Sequence, residues 1–147
     1  MGFDIPESID FVHGLRPLLD AFGNDPRFHL IVFTVDETSY SRELAPLAGA
    51  YGSMLLGAPW WFLDAPGGLA RFRELVTETA GFRNTSGFVD DTRAFLSIPA
   101  RHDLARRIDA GYLAKLVVEH RLPLDEAMDV AVELTATLPR AAYERTV

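Results

Sequence analysis

Phe28-His29-Leu30-Ile31-Val32-Phe33-Thr34-Val35 is the stretch that decides the fold. Its apolar run is almost unbroken, where a strand with one wet face would alternate. A strand of this kind is covered on both faces, as strands of parallel sheets are. Asp36 and Thr38 follow as turn and helix-capping residues. A second apolar run, Met54-Leu55-Leu56, leads into Gly57-Ala58-Pro59-Trp60-Trp61-Phe62. A third, shorter strand is expected around Ser86 to Val89, ending in Asp90-Asp91-Thr92-Arg93.

Helical periodicity fills the intervals. Phe11, Leu15, Leu18, Leu19 and Phe22 recur at helical spacing, with Pro17 inside the segment and Gly23-Asn24 as its stop. Leu44, Leu47 and Ala48 mark a second helix ending at Gly49 or Gly52. Asp64 and Pro66 open a third, with Leu69, Phe72, Leu75, Val76 and Ala80 inward and Gly81 as its end. From Asp103 onward the chain reads as helix, with Leu104, Ile108, Tyr112, Leu116 and Val117 on one face. Pro123 opens the last helix, carrying Ala127, Met128, Ala131, Leu134 and Leu138, and Pro139 is expected to break or kink it. Strands alternating with helices predict a parallel sheet with right-handed crossovers. The expected architecture is α/β, with about three parallel strands and C-terminal helices.

The chain has 147 residues, enough for one packed domain, and 48% of them are hydrophobic. A net charge of -7 argues against nucleic acid and anionic membrane as partners. No cysteine is present, so disulfides, thiol nucleophiles and Cys-ligated zinc are excluded. The first residues show no basic and apolar leader pattern, and no apolar run is long enough to span a bilayer, so a cytoplasmic location is expected. Phosphate-binding glycine loops, the nucleophile-elbow motif, paired His-x-His and H-E-x-x-H are all missing.

In parallel α/β folds, ligands gather at the C-terminal strand ends. Those ends carry Asp36-Glu37, Trp60-Trp61 and Asp91 with Arg93. An indole face covers the apolar side of a sugar, a guanidinium grips a carboxylate with two parallel bonds, and an aspartate ligates a metal or moves a proton. The same residues also suit blander roles. Adjacent tryptophans pack strand ends, and an Asp-x-Arg run caps a helix with a local ion pair.

Four segments carry a family resemblance. Gly57-Ala58-Pro59-Trp60-Trp61-Phe62-Leu63-Asp64 looks like the G-x-x-W-W-F-x-D segment of uronate isomerases. Gly87-Phe88-Val89-Asp90-Asp91-Thr92-Arg93-Ala94-Phe95 is similar to the family's segment at the end of barrel strand eight. Ala100-Arg101-His102-Asp103, with Arg106-Arg107, matches its R-H-[DE]-x-x-x-R-R run, and Thr34 to Ser41 resembles bacterial members. The resemblance implies the C-terminal part of a (β/α)8 TIM-type barrel of the amidohydrolase-like metal enzymes, with residues 1–147 as a single segment. It implies isomerisation of D-glucuronate to D-fructuronate, or of D-galacturonate to D-tagaturonate, through a cis-enediol. It assigns Asp91 to catalysis and to the metal, and Arg93, Trp60 and Trp61 to the sugar-acid substrate. For Arg101 and His102 it supplies only a motif match, and docking of the last helices serves equally well.

Full barrels run to ~250 residues or more. The His-x-His partner ligands of the family's divalent metal, expected to be zinc, do not occur in this chain, and the N-terminal barrel half that would carry them is expected to be missing from it. One aspartate falls short of the roughly four ligands zinc takes. Two readings of the chain follow: part of an enzyme that works with an N-terminal half or as a homo-oligomer, or a non-catalytic assembly fragment of the same family. A small α/β binding domain outside the family is a third.

Overall fold

The computed structural model describes residues 7–91 and 94–144. Helix α1 (Phe11–Phe22) opens on Asp10, whose carboxylate accepts from the His13 N–H, and runs through Pro17. Strand β1 (Leu30–Val32) follows, then a continuous helical stretch made of α2 (Glu37–Ser39), a π-helical turn (Tyr40–Leu44) and α3 (Ala45–Ala50). Strand β2 (Met54–Leu56) lies parallel to β1, in the register Leu30 to Met54, Ile31 to Leu55 and Val32 to Leu56. A short 3-10 turn (Trp61–Leu63) leads to α4 (Pro66–Ala80), which ends at Gly81 with φ 75°. A second 3-10 turn (Phe95–Ser97) precedes α5 (Ile98–Val118). Then come α6 (Leu124–Val132), a second π-helical turn (Glu133–Thr137) and α7 (Leu138–Tyr143).

The observed architecture is therefore mixed: mostly helical, with a two-stranded parallel sheet. The expected third strand is reduced to one parallel bridge, Leu56 to Thr85. Leu56 donates its N–H to the Asn84 carbonyl at 2.9 Å and accepts from Ser86 N at 2.8 Å, so the chain does pass in strand-like register. Gly87 then adopts φ 77° and turns the backbone out of extension, which stops the ladder two residues after it starts. Strand β1 is also shorter than the apolar run 28–35 that announces it, whereas β2 matches its run, Met54 to Leu56.

Two more expectations need correction. Helix α5 begins at Ile98, ahead of Asp103, with Pro99 in its first turn where a missing N–H costs nothing. Pro139 does not end the last helix. Leu138 N bonds back to Glu133 O across the π-helical turn, and the widened turn absorbs the register change that a proline without an N–H imposes.

The main core lies between the sheet and helices α1, α3 and α4. Leu19, Tyr40, Leu44, Met54, Leu56 and Val76 are at most 1% exposed, and Tyr40 meets Phe72 edge to face at 4.8 Å. A second cluster joins Leu113 of α5 to Ala127, Val130 and Leu134. Met128, expected inward, faces solvent. Arg73 of α4 and Asp109 of α5 join the helices by a nearly buried two-bond pair at 2.7 and 3.0 Å. This framework presents the C-terminal ends of β1, β2 and the Thr85 bridge side by side.

Candidate functional site

Gly57 starts the site. Its N–H bonds to Val32 O at 2.8 Å, which ties the exit of β2 to that of β1. A Cβ on Gly57 would lie 2.4 Å from the Phe33 ring, so only glycine lets that ring lie across the strand exit. Beyond Phe33, a cleft of about 350 Å³ is lined by Ala58, Pro59, Trp60, Val89, Asp90 and Asp91. A second cleft of about 400 Å³, which shares Trp60, Asp90 and Asp91 with the first, is lined also by Trp61, Phe62, Asp64 and Arg101. Both are within the size range of small-ligand sites.

Trp60 and Asp91 meet directly. The indole Nε1–H donates to Asp91 Oδ2 at 2.7 Å, across 31 positions of sequence. Trp60 is 37% exposed and Trp61 47%, with rings 6.5 Å apart and nearly perpendicular. Trp61 holds φ 54°, a conformation that bulky side chains rarely adopt. Trp61 also meets Phe62 edge to face at 6.0 Å, so a partly exposed aromatic wall runs from Trp60 to Phe62. Arg93 lies outside the described residues.

Three residues that local reading places elsewhere complete the wall. Arg101, near the start of α5, donates Nε to Asp90 Oδ1 at 3.0 Å and Nη2 to Asp64 Oδ2. Asp64 is thus no helix cap; α4 has Ala65 at that position and no side-chain cap. Among the described residues, the buried Asp64 Oδ1 and Asp90 Oδ2 have no hydrogen-bond partner. Burial pushes the Asp64 carboxyl above its ordinary value; Arg101 opposes the rise, while Asp90 and Asp91 add to it. Asp64 and Arg101 both stand in the segments that resemble the uronate isomerase family, and that resemblance is the signal in the sequence that pointed to this group.

The remaining strand-end candidates are structural. Asp36 accepts from Thr38 N at 3.0 Å and from Ser39 Oγ at 2.7 Å, which caps α2. Glu37 pairs with Arg71 at 2.6 Å. His102 packs edge to face on Phe88, with ring centres 5.0 Å apart. Among the described residues no group of three or more His, Asp or Glu side chains converges so as to hold a metal ion. Asp91 alone does not suffice for one.

Parallel strand ends that open on aromatic-walled clefts with a carboxylate in reach are the geometry of a candidate small-ligand site. The glucuronate isomerase family model matches residues 1–136, and the chain belongs to that family. It is 68% identical over 143 residues to the uronate isomerase of Xanthomonas campestris pv. campestris, and 66% over 142 residues to that of Rhizorhabdus wittichii. In each case the match covers 97% of this chain and 30% of the relative. The crystal structure of glucuronate isomerase from Caulobacter crescentus superposes with a TM-score of 0.92 at 61% identity, over 95% of this chain and 29% of that one. The uronate isomerase of Thermotoga maritima superposes at 0.85 with 26% identity, over 93% and 30% of the two chains. The chain thus spans about 30% of the length of the curated relatives it matches.

Proposed function

We propose that residues 1–147 form, as a single segment, one part of the (β/α)8 barrel of a uronate isomerase, and that their strand ends make one wall of its active site. The observation that carries this reading is the Trp60–Asp91 hydrogen bond at the mouth of parallel strands, in a chain of the glucuronate isomerase family. The substrate class is a sugar acid, D-glucuronate, with D-galacturonate as the epimer that the same residues accommodate.

The reaction moves one hydrogen and is redox-neutral overall. A base takes the proton from C2 of the open-chain aldose, and the C1 carbonyl oxygen gains a proton to give a cis-enediol. The proton is then returned to C1, the C2 hydroxyl loses its own, and the ketose results. Asp91 is the base, since a carboxylate can take a proton at one carbon and return it at the next. Trp60 holds Oδ2 of Asp91 and so orients the carboxylate. The flank of Trp60, with Trp61, covers the apolar face of the sugar. Arg93, two positions beyond Asp91, is assigned to the substrate carboxylate on the strength of the Asp-x-Arg motif.

The family resemblance further assigns Asp91 as one ligand of a divalent metal, zinc, that would polarise the reacting oxygens. The described residues gather no group of three or more ligands for such an ion. The partner ligands and the remaining strands belong to an N-terminal barrel part, since no His-x-His pair occurs in this chain. The outer edge of β1 bears no strand among the described residues and is where such a neighbour adds. No described helix is long and apolar enough to cross a membrane, and the relatives' catalytic names fit a cytoplasmic place.

The test is ketose formation from D-glucuronate with added zinc. It uses the chain alone, and the chain joined to the N-terminal part of a relative. Turnover in the joined protein, lost in Asp91→Asn, supports the reading. Absence of turnover in a joined protein that folds and binds zinc refutes it and leaves the non-catalytic assembly role.

A further inference from the structure

Arg101 closes a ring of contacts. From Trp60 the backbone runs four residues to Asp64. Asp64 is bound by Arg101 Nη2, and Arg101 Nε binds Asp90 at 3.0 Å. Asp90 adjoins Asp91, whose Oδ2 accepts from Trp60 Nε1 at 2.7 Å. The ring therefore joins three elements: the loop after β2, the strand end after Thr85, and the first turns of α5. We propose that Arg101 is a positioning residue for Asp91: by cross-linking Asp64 to Asp90 it locks the aromatic loop against the strand end, and this sets the Trp60–Asp91 hydrogen bond.

Three observations support a clamp over a passive surface pair. The two carboxylates are withdrawn from water, with side-chain exposures of 15% for Asp64 and 3% for Asp90, and they share one guanidinium. The shared cation therefore does more than screen. Without it two buried carboxylates face each other unpaired, and repulsion drives the two loops apart. Trp61 sits inside the ring at φ 54°, a strained conformation that persists only where the surroundings hold it from both sides. Finally, two guanidinium nitrogens are engaged by the aspartates, and its carbon lies 5.9 Å from the centre of the Phe88 ring. Arg101 lines the cleft but is committed to the protein, so it is not a group waiting for the substrate carboxylate. Lysine cannot replace it, because an ammonium lacks the planar fork that reaches two carboxylates at fixed angles.

The consequence for turnover rests on the isomerase reading; the clamp itself does not, and its test needs no catalysis. The chain has only two tryptophans, so Trp61→Phe leaves Trp60 as a single fluorescent reporter beside Asp91. Acrylamide quenching and the emission maximum of that protein set the reference. Asp91→Ala in the same background gives the values for Trp60 with its hydrogen bond removed. Arg101→Lys is expected to move Trp60 toward the Asp91→Ala values while helix content is unchanged. Arg101→Met with Asp64→Asn and Asp90→Asn removes the clamp and the repulsion together, which guards against loss of the fold. It too is expected at the Asp91→Ala values. Trp60 at its reference values in either folded variant overturns the proposal. In a joined protein that turns over, Arg101→Lys is expected to lower kcat roughly tenfold or more with KM little changed, as misplacement of a reacting group does. A raised KM with unchanged kcat would mean that Arg101 binds the substrate, and would also overturn it. If the parent shows no turnover, the isomerase reading fails, and the fluorescence result still decides on the clamp.

Discussion

Glu43 offers a quantitative test of how α1 is held. Its residue is 4% exposed, and Oε2 accepts from Phe11 N at 2.7 Å, with Val12 N at 3.4 Å. These are first-turn N–H groups of α1, which the helix itself cannot satisfy. Oε1 pairs with Arg42 at 2.5 Å, but Arg42 is 76% exposed, so that pair adds at most a few tenths of a kcal/mol. A charge-assisted bond to a buried carboxylate contributes about 1.5–3 kcal/mol, and the helix N-terminus adds about 0.3–1 for a negative charge there. Glu43→Gln keeps the shape and removes the charge, so a loss of about 2 kcal/mol is expected. Glu43→Ala also strands the Phe11 N–H and opens a void, and about 3 kcal/mol is expected.

Urea unfolding followed by far-UV circular dichroism measures both, with an unchanged slope confirming that only stability moved. The pH dependence supplies an independent sign. The Arg42 hydrogen bond, and then the α1 N–H groups, hold the Glu43 carboxyl below its ordinary value of 4.5 against the cost of burial. A depressed folded value means that the contribution is complete above the unfolded pKa and is lost as pH falls through the folded one. The gap between parent and Glu43→Gln is therefore constant near neutrality and closes as pH falls from the ordinary value of 4.5 through the lowered folded one. A gap under about 0.5 kcal/mol at pH 7, or one that widens on acidification, refutes the reasoning.

Other perturbations test other joints of the molecule. Arg73→Met leaves Asp109 unpaired between α4 and α5 and is expected to cost about 3–5 kcal/mol, read as a lowered urea midpoint. Gly87→Ala places a Cβ 2.4 Å from Pro139 Cγ at φ 77°; a loss of at least about 2 kcal/mol and a lower thermal midpoint are expected, whereas Gly14→Ala, with open space around it, should be neutral or stabilising. Trp60→Phe in a joined, active protein keeps the aromatic face but loses the bond to Asp91 and should reduce kcat about tenfold or more; an unchanged kcat with raised KM would assign Trp60 to stacking alone. Sedimentation of the isolated chain should show concentration-dependent association through the open β1 edge, and a monomer at every concentration would contradict that expectation.

Much of the fold was legible from spacing alone. The centre of the apolar run 28–35 and the run 54–56 became the parallel pair, and the stripe of Leu69, Phe72, Val76 and Ala80 became the buried face of α4. Such patterns are short-range, set by a side-chain period of about 2 or 3.6 residues, and any stretch of chain displays them without help. That Trp60, Trp61 and Asp91 fall at strand ends was legible too, and strand ends are where parallel folds collect ligands, which is why they were candidates.

What the sequence could not decide was who pairs with whom. With 14 basic and 21 acidic side chains, proximity in sequence does not tell that Arg101 chooses Asp64 and Asp90, or that Trp60 donates to Asp91 rather than only packing. Those choices were made by the packing that set residues 11 to 37 positions apart against one another. The shortened third strand and the π-helical turn before Pro139 have the same origin: a ladder extends only where backbone direction permits it, and a helix tolerates proline only where its neighbouring turn can widen. Local periodicity determined the elements; the meeting of distant charges at the strand ends, which exists only after those elements pack, determined the candidate site.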